Sequence, residues 1–226
     1  MKGHVVVAID GPSGVGKSTV SRMLAGELGF TYIDTGAIYR AVALKASDRG
    51  IDPADDEGVK SFCAKMHMEM SESTIVVNGE DLTSRIRHPS TGPIASRYSA
   101  GRGVREALLH LQRGMGERGS VVMEGRDIGT VVFPAAQVKF YLDASCEVRA
   151  QRRWRELKER GVEVDIETVK NEIAERDRRD STRTHAPLKR ADDAVYVDTG
   201  TIGRDAVFRL LLKGVRERIS DGDTDS

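Results

Sequence analysis

The sequence predicts an α/β fold: a five-stranded parallel sheet with helices on both faces, a small antiparallel insertion and a helical lid. Three observations predict it. A continuous β-branched run, Val5 to Ile9, closes directly on a glycine-rich turn, as expected of a central strand covered on both sides. Strand-like segments then alternate with helical ones along most of the chain. One stretch, Met66 to Thr83, breaks that rhythm.

After the first strand, Val20, Met23, Leu24 and Leu28 recur at helical spacing up to Gly29, a residue suited to a C-terminal cap, and Phe30 to Ile33 reads as a second strand. Further strands are expected at Ser120 to Met123, Val138 to Leu142 and Ala194 to Val197, with helices near 36–49, 104–117, 145–160, 166–179 and 204–219. In the irregular stretch Met66, Met68 and Met70 alternate with polar residues, and Ile75-Val76-Val77 meets Asn78-Gly79, a hairpin turn pair. The division expected is a core of about 1–62, 104–150 and 184–219, an insertion of about 63–103, a lid of about 151–183 and a disordered tail, 220–226.

Composition narrows the function classes. With 35 basic and 35 acidic side chains, the long-range field gives no reason to attract nucleic acid or an anionic membrane, so any anion site must be built locally. Val5 to Ile9 is far shorter than the ~20 apolar residues needed to span a bilayer, and a cytoplasmic monomer is expected. Cys63 and Cys146 show neither CxxC nor Cys/His ligand spacing, which leaves no disulfide framework or zinc site to infer.

Gly11-Pro12-Ser13-Gly14-Val15-Gly16-Lys17-Ser18, followed by Thr19, fits the phosphate-loop pattern G-x-x-x-x-G-K-[ST] with a strand before it and a helix after it. Small residues are needed because the backbone must curl round an oxyanion and turn successive N–H groups inward at the positive end of a helix. Lys17 is placed to meet the β and γ phosphates of a triphosphate, and Ser18 offers a hydroxyl to Mg²⁺. The four fixed positions arise by chance in roughly one chain in a hundred of this length, before the flanking context is asked for. A dinucleotide fold is excluded by spacing, G-x-x-G-x-G rather than G-x-G-x-x-G. The loop does not say where the γ phosphoryl goes, because GTPases, motors and small-molecule kinases share it.

Two further segments lie beyond strand ends, where ligands bind such sheets: Asp34-Thr35-Gly36-Ala37-Ile38-Tyr39-Arg40 and Glu124-Gly125-Arg126-Asp127-Ile128-Gly129-Thr130. A third, Glu175-Arg176-Asp177-Arg178-Arg179-Asp180-Ser181-Thr182-Arg183, follows a helix carrying Arg149, Arg152, Arg153 and Arg155. Arginine dominates lysine there, as suits a fixed grip on phosphate oxygens; a solvated helix pair is the competing reading.

In order and spacing, GPSGVGKST, DTGAIYR, GRDIGTVVFP and ERDRRDSTR before APL resemble bacterial cytidylate kinase over almost the whole chain. The resemblance implies ATP as co-substrate with Mg²⁺, bound by Gly11 to Thr19, and CMP or dCMP as acceptor. Thr35, Arg40 and Arg126 would handle the acceptor phosphate, with Arg183 reaching it from the mobile side; Arg176 and Asp180 would lie near the sugar. Ser96, Arg105 and Asp127 would read the base. An acid beside a cation suits cytosine, which offers a donor amine next to acceptors.

Because a phosphate acceptor is already anionic, transfer needs positioning and charge rather than a strong base. Lys17, Arg126, Arg183 and a lid arginine are the catalytic candidates. A lid that excludes water is expected near Arg153 to Val164, with Arg149 and Arg153 as its contributors, Arg153 foremost. Asp10 either holds a metal-bound water or shapes the turn. A kinase for another monophosphate such as UMP, and a nucleic-acid-binding ATPase, are the alternative functions.

Overall fold

The computed structural model describes residues 4–71 and 73–222. Its elements in chain order are β1 (Val6–Asp10), α1 (Lys17–Leu28), β2 (Thr31–Asp34), α2 (Thr35–Ser47), α3 (Asp56–Ala64), β3 (Met68–Met70), β4 (Ile75–Val77) and β5 (Glu80–Asp81). There follow α4 (Thr91–Tyr98), α5 (Arg102–Glu117), β6 (Val121–Gly125), β7 (Val138–Asp143), α6 (Cys146–Glu159), α7 (Ile166–Thr182), β8 (Val195–Asp198) and α8 (Arg204–Gly222). Short turns of helix at Arg85–Arg87 and Ile128–Val132 complete the path.

Five strands form the main sheet in the order β2-β6-β1-β7-β8, with β1 central and parallel to both neighbours. All five residues of β1 and of β6 are buried, which explains their unbroken apolar reading: strands covered on both faces have no polar side to alternate with. Phe140 and Leu142 of the sheet pack in one core with Val20 and Leu24 of α1 and Leu211 and Val215 of α8. Gly29 has a left-handed φ of 67° and its N–H bonds back into α1, so the expected cap is the observed one.

The chain divides into two compact units, 1–32 with 120–226, and 33–119. The first holds β1, β6, β7, β8, α1, α6, α7 and α8. In it α6 and α7 pack through Ala150, Leu157, Val169 and Ile173, flanked by Trp154 and Val164, whose carbonyl accepts the indole N–H of Trp154 at 3.0 Å. Gly161 turns the chain between them at φ 72°.

The second unit is larger than the expected insertion of 63–103, because α2 packs on α4 and α3 on α5. Segments 33–62 and 104–119, expected in the core, therefore belong with it. Its centre is the three-stranded antiparallel sheet β3-β4-β5, in which Ile75 and Val77 are buried and Met66, Met68 and Met70 pack alongside. Asn78 (φ 51°) and Gly79 (φ 80°) make the β4–β5 turn, both left-handed, as a tight hairpin demands.

Helices α3 and α4 were not foreseen; at 9 and 8 residues they carry only two or three turns of apolar periodicity. At the C-terminal end the expected tail begins too early: residues 220–222 continue α8, and 223–226 lie outside the described residues. No helix of the described residues is long and apolar enough to cross a membrane.

Candidate active site

Four loops of the first unit leave the carboxyl ends of β1, β6, β7 and β8, the edge where parallel α/β sheets bind ligands. After β1 the chain turns through Gly11 (φ 147°), Gly14 (φ 82°) and Gly16 (φ 89°) into α1. A Cβ on Gly11 would lie 2.0 Å from the carbonyl oxygen of Leu142, so no other residue fits between β1 and β7. Ser18 and Thr19 are exposed at the first turn of α1, where a ligand can reach their hydroxyls.

Lys17 is buried, and its ammonium donates to the carbonyls of Gly11 and Pro12, both at 2.7 Å. Burial first, and then the Arg126 charge, push its pKa down to about 7, while Glu124 and Asp10 oppose the shift. An incoming phosphate would restore what the ammonium lacks in this environment. Asp10, the last residue of β1, shapes a turn: its carboxylate accepts the N–H of Ile128 at 2.8 Å and of Gly129 at 2.7 Å. Burial raises its pKa to about 6 against those two bonds. These contacts fix the turn after β6.

That turn presents Arg126 and Asp127. The Arg126 Nε donates to Asp180 on α7 at 2.9 Å. Arg183, just past α7, lies 3.5 Å from Asp127 and 3.8 Å from Asp180, and donates to the Ala186 carbonyl at 2.6 Å. Arg176 is 4.0 Å from Asp180. Although burial works to raise it, the carboxyl of Asp180 is held below its ordinary value by Arg126, Arg176 and Arg183. The structure thus brings together Arg126, Asp127, Arg176, Asp180 and Arg183, all named from sequence, in one cluster whose arginine charges reach Lys17.

Arg149 and Arg153 part company. Arg149 is buried and turned to the loop, with an N–H 3.3 Å from the Ser13 carbonyl, whereas Arg153 pairs with Glu156 on its own helix at 3.0 Å. The structure does not bring Arg153 to the phosphate loop.

The second unit positions the remaining predicted residues. Asp34 caps α2 by accepting the Ala37 N–H at 2.9 Å and pairs with Arg40 at 3.0 Å. Thr35, the first residue of α2, is buried. Arg105 lies over the Tyr39 ring at 5.3 Å and donates to the Ser99 carbonyl at 2.7 Å, beside the end of α4. Ser96 on α4 is buried, and its hydroxyl has no hydrogen-bond partner among the described residues. A buried orphan hydroxyl is costly unless something else bonds it. Arg105 and Asp127, paired in the sequence reading, stand on different units.

Sequence reasoning missed Glu124. It is the last but one residue of β6, is buried, and accepts the Tyr32 hydroxyl at 2.5 Å, while Arg22 sits over the Tyr32 ring at 5.1 Å. The available signal was an acid closing the apolar run Val121-Val122-Met123.

A lysine at the start of α1, wrapped by the glycine turn that follows the central strand and faced by clustered arginines, defines a P-loop kinase. A gluconokinase of Sinorhizobium meliloti has the same fold at a TM-score of 0.52, with 16% identity over 98% of this chain and 97% of that one. The family model for cytidylate kinase matches residues 7–217. A cytidylate kinase of Citrifermentans bemidjiense is 46% identical over 97% of this chain and 96% of its own, and one of Solibacter usitatus is 49% identical over 97% and 95%. The chain belongs to the cytidylate kinase family.

Proposed function

We infer that the chain transfers the γ phosphoryl of ATP to CMP, giving CDP and ADP, with dCMP as a further acceptor. The observation that carries this is the match to cytidylate kinases along nearly the whole chain, on a fold whose phosphate loop is intact. We place the triphosphate on Gly11 to Thr19 with Lys17 at its outer phosphates. The first unit's Arg126 and Arg183, with Arg176 and Asp180 beside them, would hold the acceptor phosphate and sugar. The second unit's Thr35 and Arg40 would grip the acceptor phosphate, and Ser96 and Arg105, with Asp127 of the first unit, would read the base.

The described residues contain no cluster of three or more His, Cys, Asp or Glu able to hold a metal ion. A divalent cation, here taken as Mg²⁺, would rest on the exposed Ser18 hydroxyl with phosphate oxygens completing its ligands. When bound it supplies charge neutralisation at the phosphates. The chain's own part is to orient two anions: Lys17, Arg126 and Arg183 offset their repulsion and meet charge spreading over the transferring group. No side chain has to remove a proton from the acceptor. We propose a cytoplasmic enzyme acting as a monomer.

ADP release measured with CMP, dCMP, UMP, AMP and GMP tests the reading. Uracil turns a carbonyl toward an acceptor and an N–H toward a donor, so kcat/KM for CMP should exceed that for UMP by at least about tenfold. Equal turnover of the two would show that the base-reading residues are misassigned.

A further inference from the structure

The geometry points to Arg149 and Asp177 as positioning residues that tie the arginine-bearing helix α7 to the phosphate loop. This rests on the kinase reading above and adds to it.

Arg149 sits in the second turn of α6 with its guanidinium engaged on three elements at once. Its Nε donates to the Ala144 carbonyl, where the chain leaves β7, at 2.9 Å. One terminal N–H lies 3.3 Å from the Ser13 carbonyl in the phosphate loop, and the other terminal nitrogen is 2.6 Å from Asp177 on α7. The neighbouring Arg176 donates to the Ser13 hydroxyl at 3.3 Å. Ser13 is thus held at its backbone from α6 and at its side chain from α7.

The loop also approaches α6 closely. A Cβ built on Gly14 would meet the Arg149 Cβ at 3.2 Å, so the loop has little room to move against that helix. Helix adhesion does not require the ion pair, because α6 and α7 already share an apolar seam of Ala150, Leu157, Val169 and Ile173. Burying a guanidinium is costly and is tolerated where its N–H groups are all directed to acceptors. Each of the three guanidinium nitrogens of Arg149 has an acceptor, one each at the strand end, the loop and the helix.

The consequence is mechanical. Helix α7 carries Arg176 and Asp180 and leads into Arg183, while the loop carries Lys17. A rigid path from Asp177 through Arg149 to Ser13 sets the distance between these two groups of cations, so that both meet the transferring phosphoryl together. Neither residue touches a reacting atom.

The test uses the full chain with Asp177→Asn, Arg149→Lys and the double variant, measured by steady-state kinetics and by hydrogen exchange of the segment 11–17. Since displacement of catalytic groups by about 1 Å costs about a hundredfold in rate, each single variant should lower kcat between about tenfold and a hundredfold, with KM for ATP within about threefold. The double variant should be no slower than the worse single one, and exchange in the loop should quicken in all three. Singles within twofold of wild-type kcat, or losses that multiply in the double variant, would overturn the tether. So would unchanged loop exchange in a variant that has only lost thermal stability. Arg149→Lys keeps a cation against Asp177 and so remains informative if Asp177→Asn folds poorly. Exchange is read without any acceptor, so a wild type that ignored CMP would defeat the functional reading while the loop measurement still decided the tether.

Discussion

At the scale of single residues, Asp10 shows how burial and hydrogen bonding oppose each other. Its carboxylate anchors two backbone N–H groups, yet desolvation raises its pKa from 3.8 to about 6. The folded state therefore holds this proton more tightly than the unfolded chain does. Its contribution to stability is present in full below the unfolded value and is lost as pH rises through about 6. Relative to Asp10→Asn, the wild type should lose about 2 kcal/mol between pH 4 and pH 7, read from urea unfolding at the two pH values. A difference independent of pH would place the Asp10 proton elsewhere. The motif residues around it were legible from their spacing alone, although what requires Gly11 is a tertiary neighbour, Leu142 of β7. Glu124 was not, since a single acid at a strand end looks like a loop residue until Tyr32 is seen to bond it.

At the scale of elements, α6 and α7 divide their arginines between structure and surface. Arg153 is held by an i, i+3 pair with Glu156, worth only a few tenths of a kcal/mol, so little opposes its release. If it then meets the transferring phosphoryl, Arg153→Ala should lower kcat by about tenfold while leaving KM for CMP nearly unchanged. An unaltered kcat would remove it from the mechanism. The helices themselves were legible from apolar spacing, but the burial of each arginine was not: Arg149 and Arg153 are one turn apart on the same side of α6, and only packing decides which is buried.

At the scale of the whole molecule, formal neutrality leaves ligand recognition to local charge, and local charge is concentrated in the first unit beside the phosphate loop. Anion binding should therefore stabilise the fold markedly. At a hundred times its Kd, Mg²⁺-ATP should add about 2.7 kcal/mol to unfolding, visible as a raised Tm in a thermal scan. A Tm unmoved by nucleotide at that concentration would mean that the phosphate loop does not bind it. The extent of the second unit, 33–119 rather than 63–103, was hidden because helices α3 and α4 are short and because the pairing of α2 with α4 and α3 with α5 joins segments far apart in sequence.

By itself the sequence determined the parallel sheet, the phosphate loop, the hairpin at Asn78-Gly79 and the family, since each depends on residues adjacent along the chain or on motifs in a fixed order. Tertiary structure alone decided that Asp10 shapes a turn, that Glu124 is buried and bonded by Tyr32, and that Arg149 is buried while Arg153 is only half-buried. The reason is physical: the energy of a buried charge depends on partners brought to it by folding, and those partners, Ile128 for Asp10, Tyr32 for Glu124 and Asp177 for Arg149, are remote in the sequence.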